Sequence, residues 1–185
     1  MNPFVRGSAP AILLEIAPEA TQRFVERRSA DPGAKFAWPT RAGASVLPQI
    51  RDALGRLTNE HCSYCDGYPV DAQGEVQVDH FQPKAQFPQL VCDWANLYFT
   101  CQGCNRMKLD EWSPRLLRPD ESDYSFERYF IVHVVNGELR ANPAASIDDQ
   151  ARANETIRVL GLQRSGLCVA RRRHIAYSLA RSNDP

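Results

Sequence analysis

No stretch of this 185-residue chain approaches the ~18–20 uninterrupted apolar residues of a membrane span, so none is expected. An export leader is not expected either. The apolar patch 9–17 contains Pro10 and Glu15 and has no basic cluster before it. Net charge is absent as well: 22 Lys and Arg balance 22 Asp and Glu, which argues against polyanion binding through bulk charge. Nor is there an internal repeat or a low-complexity segment, which excludes repeat arrays and biased tails. What is left is a chain of ordinary composition, 43% hydrophobic, long enough for a single compact domain, and expected in the cytoplasm.

Six cysteines stand against this plain background, and four of them form two Cys-x-x-Cys pairs, Cys62/Cys65 and Cys101/Cys104. Two cysteines so spaced let one turn supply two ligands, and two such pairs complete the tetrahedron of a structural Zn²⁺. A redox dithiol needs only one pair, and a reducing compartment disfavours disulfides. The 35 residues between the pairs exceed a zinc-ribbon loop, so they read as an inserted functional hairpin clamped at both ends. Cys92 and Cys168 remain unpaired and read as small buried hydrophobes.

Pro18 suits the first turn of a helix over 18–29, stopped by Asp31-Pro32-Gly33, and Pro48 opens a second with Ile50, Leu54 and Leu57 on one face. In the Cys62–Cys65 knuckle, Gly67 is expected to supply the positive φ. After a turn near Gln73-Gly74, alternation at Val76 and Val78 predicts a strand, and Leu97-Tyr98-Phe99 a second. A helix starting around 102–104 carries Asn105 and Lys108 on one side. The result is a ββα unit. Further on, Asn136-Gly137 predicts a hairpin between 129–135 and 138–140. Ser146 and Ser165 cap two last helices, ending near Leu160 and Arg181.

Cutting a phosphodiester needs an activated water and a cation for the charge on phosphate and leaving oxygen. Asp79 offers a carboxylate and Asn105 an amide oxygen, both suited to Mg²⁺. His80 has the intrinsic pKa of a general base near neutrality. Neighbours on a strand face opposite ways, so Asp79 and His80 converge only if the strand ends and bends there. His61, His133 and His174 lack such partners and read as structural or solvent-facing.

The string Cys-x-x-Cys … Val-Asp-His-Phe-x-Pro-Lys … Trp-x-Asn-Leu … Cys-x-x-Cys-Asn-x-x-Lys, from Cys62 to Lys108, resembles the HNH endonucleases. Phe81, Pro83-Lys84 and Asp93-Trp94 look more narrowly like the PtuB-type nucleases of the Septu anti-phage system, which also accompany some retrons. The resemblance implies an α+β fold: a ββα-metal core at 61–115 stapled by a four-cysteine zinc site, a helical flank at 1–60, and a hairpin with helices at 116–185. It implies Asp79 as metal ligand and His80 as general base. It implies Asn96 as the residue that steadies the loop, and Asn105 as the second metal ligand where many members have His. The cofactors implied are one structural Zn²⁺ and one catalytic Mg²⁺ or Mn²⁺. Lys84 and Lys108 are candidate phosphate contacts. The expected substrate is DNA or RNA, and the expected partner a PtuA-like ATPase.

Charge supports the need for a partner. Residues 61–120 hold five Lys and Arg against eight acids, whereas 150–185 hold seven Arg against two, including Arg171-Arg172-Arg173. The core alone should bind a polyanion poorly. A zinc-ribbon interaction module without cleavage is the chief rival, but binding alone would not require all of Asp79, His80, Asn96 and Asn105.

Overall fold

Pro10 ends an extended lead-in, and its carbonyl accepts from the amides of Leu13 and Leu14, so helix α1 (Ala11–Ala30) starts directly after it. The computed structural model describes residues 1–71 and 74–182. Pro18 therefore lies inside α1 and not at its first turn as expected. It removes one ladder bond, but Leu13, Ile16, Ala20 and Phe24 are buried on both sides of it and carry the helix through. Asp31 ends α1, and its Oδ1 accepts from the Gly33 amide at 2.8 Å. A small hairpin follows, β1 (Thr40–Arg41) and β2 (Ala44–Ser45). Helix α2 (Leu47–Leu57) then begins with Pro48 in its first turn and buries Ile50 and Leu54. Both long helices serve as a buttress: α1 packs against α2 and against a 3₁₀ turn at Pro88–Leu90.

The hairpin they support is β3 (Val76–His80) paired antiparallel with β4 (Leu97–Cys101), with Val76 opposite Cys101 and His80 opposite Leu97. Helix α3 (Gln102–Lys108) follows β4 without a gap, which completes the expected ββα unit. The turn expected near Gln73-Gly74 lies partly outside the described residues, since Gln73 is not among them. In the knuckle the left-handed residue is Asp66 (φ 63°), not Gly67. Asp tolerates that conformation, and its carboxylate is 3.0 Å from His61 Nδ1, which fixes the turn.

The chain falls into two units, residues 4–112 and residues 1–3 together with 113 onward. The second unit has α4 (Phe126–Tyr129), the hairpin β5 (Phe130–Val132) and β6 (Leu139–Ala141), then α5 (Ile147–Val159) and α6 (Ser165–Ser182). Its core includes Leu117, Tyr129, Phe130, Leu160 and Leu162. Ser146 Oγ caps α5 by accepting from the Asp149 amide. The Asn136-Gly137 hairpin forms, but its strands are shorter than expected and 133–138 is a wider loop in which the Gly137 amide bonds the His133 carbonyl. Gly137 has φ 72°, and a Cβ there would strike the Cys168 carbonyl of α6. The whole is α+β, with three two-stranded antiparallel sheets among the described residues.

Candidate active site

The four cysteines converge. Their Sγ atoms lie within 4.8 Å of one another, and Cys65 Sγ is 3.8 Å from Cys101 Sγ. Sulfurs held ~2.3 Å from a tetrahedral Zn²⁺ would sit ~3.8 Å apart, so the cluster fits a zinc ion. The backbone presents them: the Cys101 amide donates to Cys62 Sγ, and Cys101 Sγ caps α3 by accepting from the Cys104 amide. Burial pushes the Cys62 thiol up, whereas the hydrogen bond with Cys104 holds the Cys101 thiol low. A divalent cation would ionise all four. Cys92 is buried as expected, but Cys168 is only half-buried, with its Sγ directed at Gln163.

Asp79 and His80 end β3 and take different partners, as alternate strand faces require. On one side, Asp79 Oδ2 accepts from the Tyr64 hydroxyl at 2.6 Å and pairs with Lys108 Nζ at 3.1 Å. Lys108 Nζ also donates to the His80 carbonyl at 2.7 Å. Lys108 is 0% exposed, so it is a structural cation beneath the strand and not the phosphate contact its sequence position suggested. Burial raises the Asp79 carboxyl above its ordinary pKa, against the pull of Lys108 and Tyr64.

On the other side, His80 Nε2 lies 2.8 Å from the carbonyl oxygen of Val91. A carbonyl only accepts, so Nε2 carries the proton and the lone pair of the neutral ring falls on Nδ1. Trp38 stacks on the imidazole, 6.1 Å away at 19°, and Phe36 meets it edge-on. Burial first, then the charge of Lys84, lowers the His80 pKa from 6.5 to about 4, so the ring is a free base at neutral pH.

The path of the Val91 loop depends on Asn96. Its Oδ1 accepts from the Gln82 amide at 2.7 Å, and its Nδ2 donates to the carbonyls of Gln82 and Leu90. Asn96 therefore clamps both ends of the segment that presents the Val91 carbonyl to His80. Asn105 is half-buried on α3, three residues before Lys108, and makes no hydrogen bond to Asp79, His80 or Asn96. Lys84 is half-buried, and its charge reaches both Asp79 and His80. His61 stacks on Tyr68 and bonds Asp66, His133 is half-buried, and His174 is exposed.

Sequence reasoning missed four parts of this site: Tyr64, the Val91 carbonyl, Trp38 and Phe36. Tyr64 had a local signal, since it lies between Cys62 and Cys65 and a buried tyrosine needs a partner for its hydroxyl. Trp38 and Phe36 had none, being some forty residues from His80.

Residues 62–111 match the family model of the HNH endonucleases. Over 103 residues the chain is 29% identical to the Septu protein PtuB of Bacillus thuringiensis, a match covering 56% of this chain and 35% of that protein. The chain thus spans about a third of that relative's length. It carries an HNH endonuclease domain and resembles PtuB. No helix among the described residues is long and apolar enough to cross a membrane.

Proposed function

We propose that this chain is a metal-dependent endonuclease that hydrolyses nucleic acid, acting as the nuclease subunit of an anti-phage complex with a PtuA-like ATPase. One observation carries the reading: a buried, neutral imidazole whose Nε2 proton is fixed on the Val91 carbonyl and whose Nδ1 has no partner among the described residues. Nδ1 takes a proton from water, and the Val91 carbonyl steadies the imidazolium that forms. Asn96 acts through that carbonyl as a positioning residue.

Asp79 and Asn105 are the residues that would hold Mg²⁺ or Mn²⁺. Both offer oxygen, which favours a hard ion, and Tyr64 and Lys108 both engage Oδ2 of Asp79, which leaves Oδ1 for a cation. Such an ion supplies charge stabilisation at the phosphate and the leaving 3′ oxygen. Lys84 is the remaining candidate for phosphate contact. In-line attack leaves a 5′-phosphate and a 3′-hydroxyl. Zn²⁺ on Cys62, Cys65, Cys101 and Cys104 serves folding only.

The test is single-turnover cleavage with Mg²⁺ and with Mn²⁺. His80→Ala and Asp79→Asn, the latter chosen to keep a partner for Tyr64, are expected to lower the rate by roughly 100-fold or more. Either variant cutting at the wild-type rate would remove its residue from the mechanism.

A further inference from the structure

Phe36 packs edge-on against Phe24 and Trp38. It meets the His80 ring edge-on, and it also lines a groove of about 570 Å³ beside α1, a volume suited to a nucleotide-sized ligand. Arg23, Arg27 and Arg41 line the same groove. Arg23 pairs with Glu19 and Arg41 with Glu15, all four side chains more than half exposed. Pairs so exposed contribute little, and a phosphate can replace the carboxylate. Arg27 donates to the Lys35 carbonyl, which keeps its guanidinium at the rim. Charge complementarity points the same way. The groove's lining holds three Arg against Glu19 and Glu26, whereas 61–120 hold five Lys and Arg against eight acids. The cations missing from the core stand in this neighbouring segment of the same unit.

We infer that this groove binds an unpaired stretch of nucleic acid flanking the scissile phosphate, with a base against Phe36 and phosphates on Arg23, Arg27 and Arg41. The inference rests on the reading of His80 as the general base. An aromatic wall with flanking cations selects a single strand, because only an unstacked base offers its face. DNA and RNA share that chemistry.

The full chain is tested in a His80→Ala background, so that substrate is not consumed. Fluorescence anisotropy is read with short single-stranded DNA, single-stranded RNA and duplex DNA over a range of salt. Arg23→Glu with Arg27→Glu is expected to weaken single-strand binding roughly 10-fold or more and to flatten the salt slope by about 1.4, two phosphate contacts at ~0.7 each. Phe36→Leu is expected to cost single strands roughly 5- to 10-fold and to leave duplex binding unchanged. Unaltered affinity, or equal losses for duplex, would overturn the inference. An arm independent of refolded variants uses 5-iodouridine oligonucleotides: photocrosslinks within 23–41 support it, and crosslinks found only elsewhere overturn it. The tighter of the two single-stranded arms identifies the substrate. Wild-type cutting by His80→Ala would instead remove His80 as the general base and leave the groove standing.

Discussion

A buried ammonium joins the last two residues of β3: Lys108 neutralises the Asp79 side chain and holds the His80 main chain. Removing one member of such a pair strands the other's charge, so Lys108→Met should cost about 3–5 kcal/mol in a urea titration. Adding Asp79→Asn should recover part of it, and losses that simply add in the double variant would show that the pair is not coupled. His80 gives the same strand end a pH dependence. Its folded pKa of about 4 lies below the ordinary 6.5. The fold therefore favours the neutral ring: that contribution is complete above 6.5 and is lost as pH falls towards about 4. An NMR titration should show the His80 ring neutral at about pH 5.5, and cleavage should keep its base down to that pH. A midpoint near 6.5 would mean the ring titrates as if in water. Neither role of Lys108 was legible in the sequence. A lysine three residues after Asn105 looks like any helix-surface lysine, and only the packing of α3 on β3 shows it buried.

Elements tell a different story, because local spacing governs them. The Cys pairs, the alternation at Val76 and Val78 and the Ser146 cap were all readable, since each depends on residues a few positions apart. Pro18 misled for the same reason: proline is common in a first turn, and only the burial of Leu13 and Ile16 shows that α1 had already begun. The thiol cluster ties these elements together. Cys101 ends β4, caps α3 and stands in the thiol cluster, so an ion held there would make strand, helix and metal one cooperative piece. Metal binding at such a site is folding energy. Stripping the zinc with a strong chelator, or Cys65→Ser, should abolish hydrogen-exchange protection across 76–108, while the α5 amides of the other unit keep theirs. Protection that survives zinc loss would make the ion dispensable.

At the scale of the molecule, zero net charge is the sum of an acidic core and basic segments elsewhere. Arg172 and Arg173 of α6 are exposed, in keeping with a solvated face, while Arg171 donates to the Gly137 carbonyl. The isolated chain should therefore cut slowly at physiological salt, and a PtuA-like ATPase should raise the rate roughly 10-fold or more. Equal rates with and without it would show a self-sufficient enzyme. The parts least visible beforehand, Trp38 on His80 and the hold of Val91, are contacts between distant stretches of chain, which no local pattern encodes. That hold has a genetic corollary. Heredity rewrites side chains but leaves main-chain oxygens in place. An imidazole that takes its bearing from the carbonyl of residue 91 therefore does not depend on that residue's side-chain chemistry, as long as the replacement fits the buried site of Val91 and the loop keeps its course.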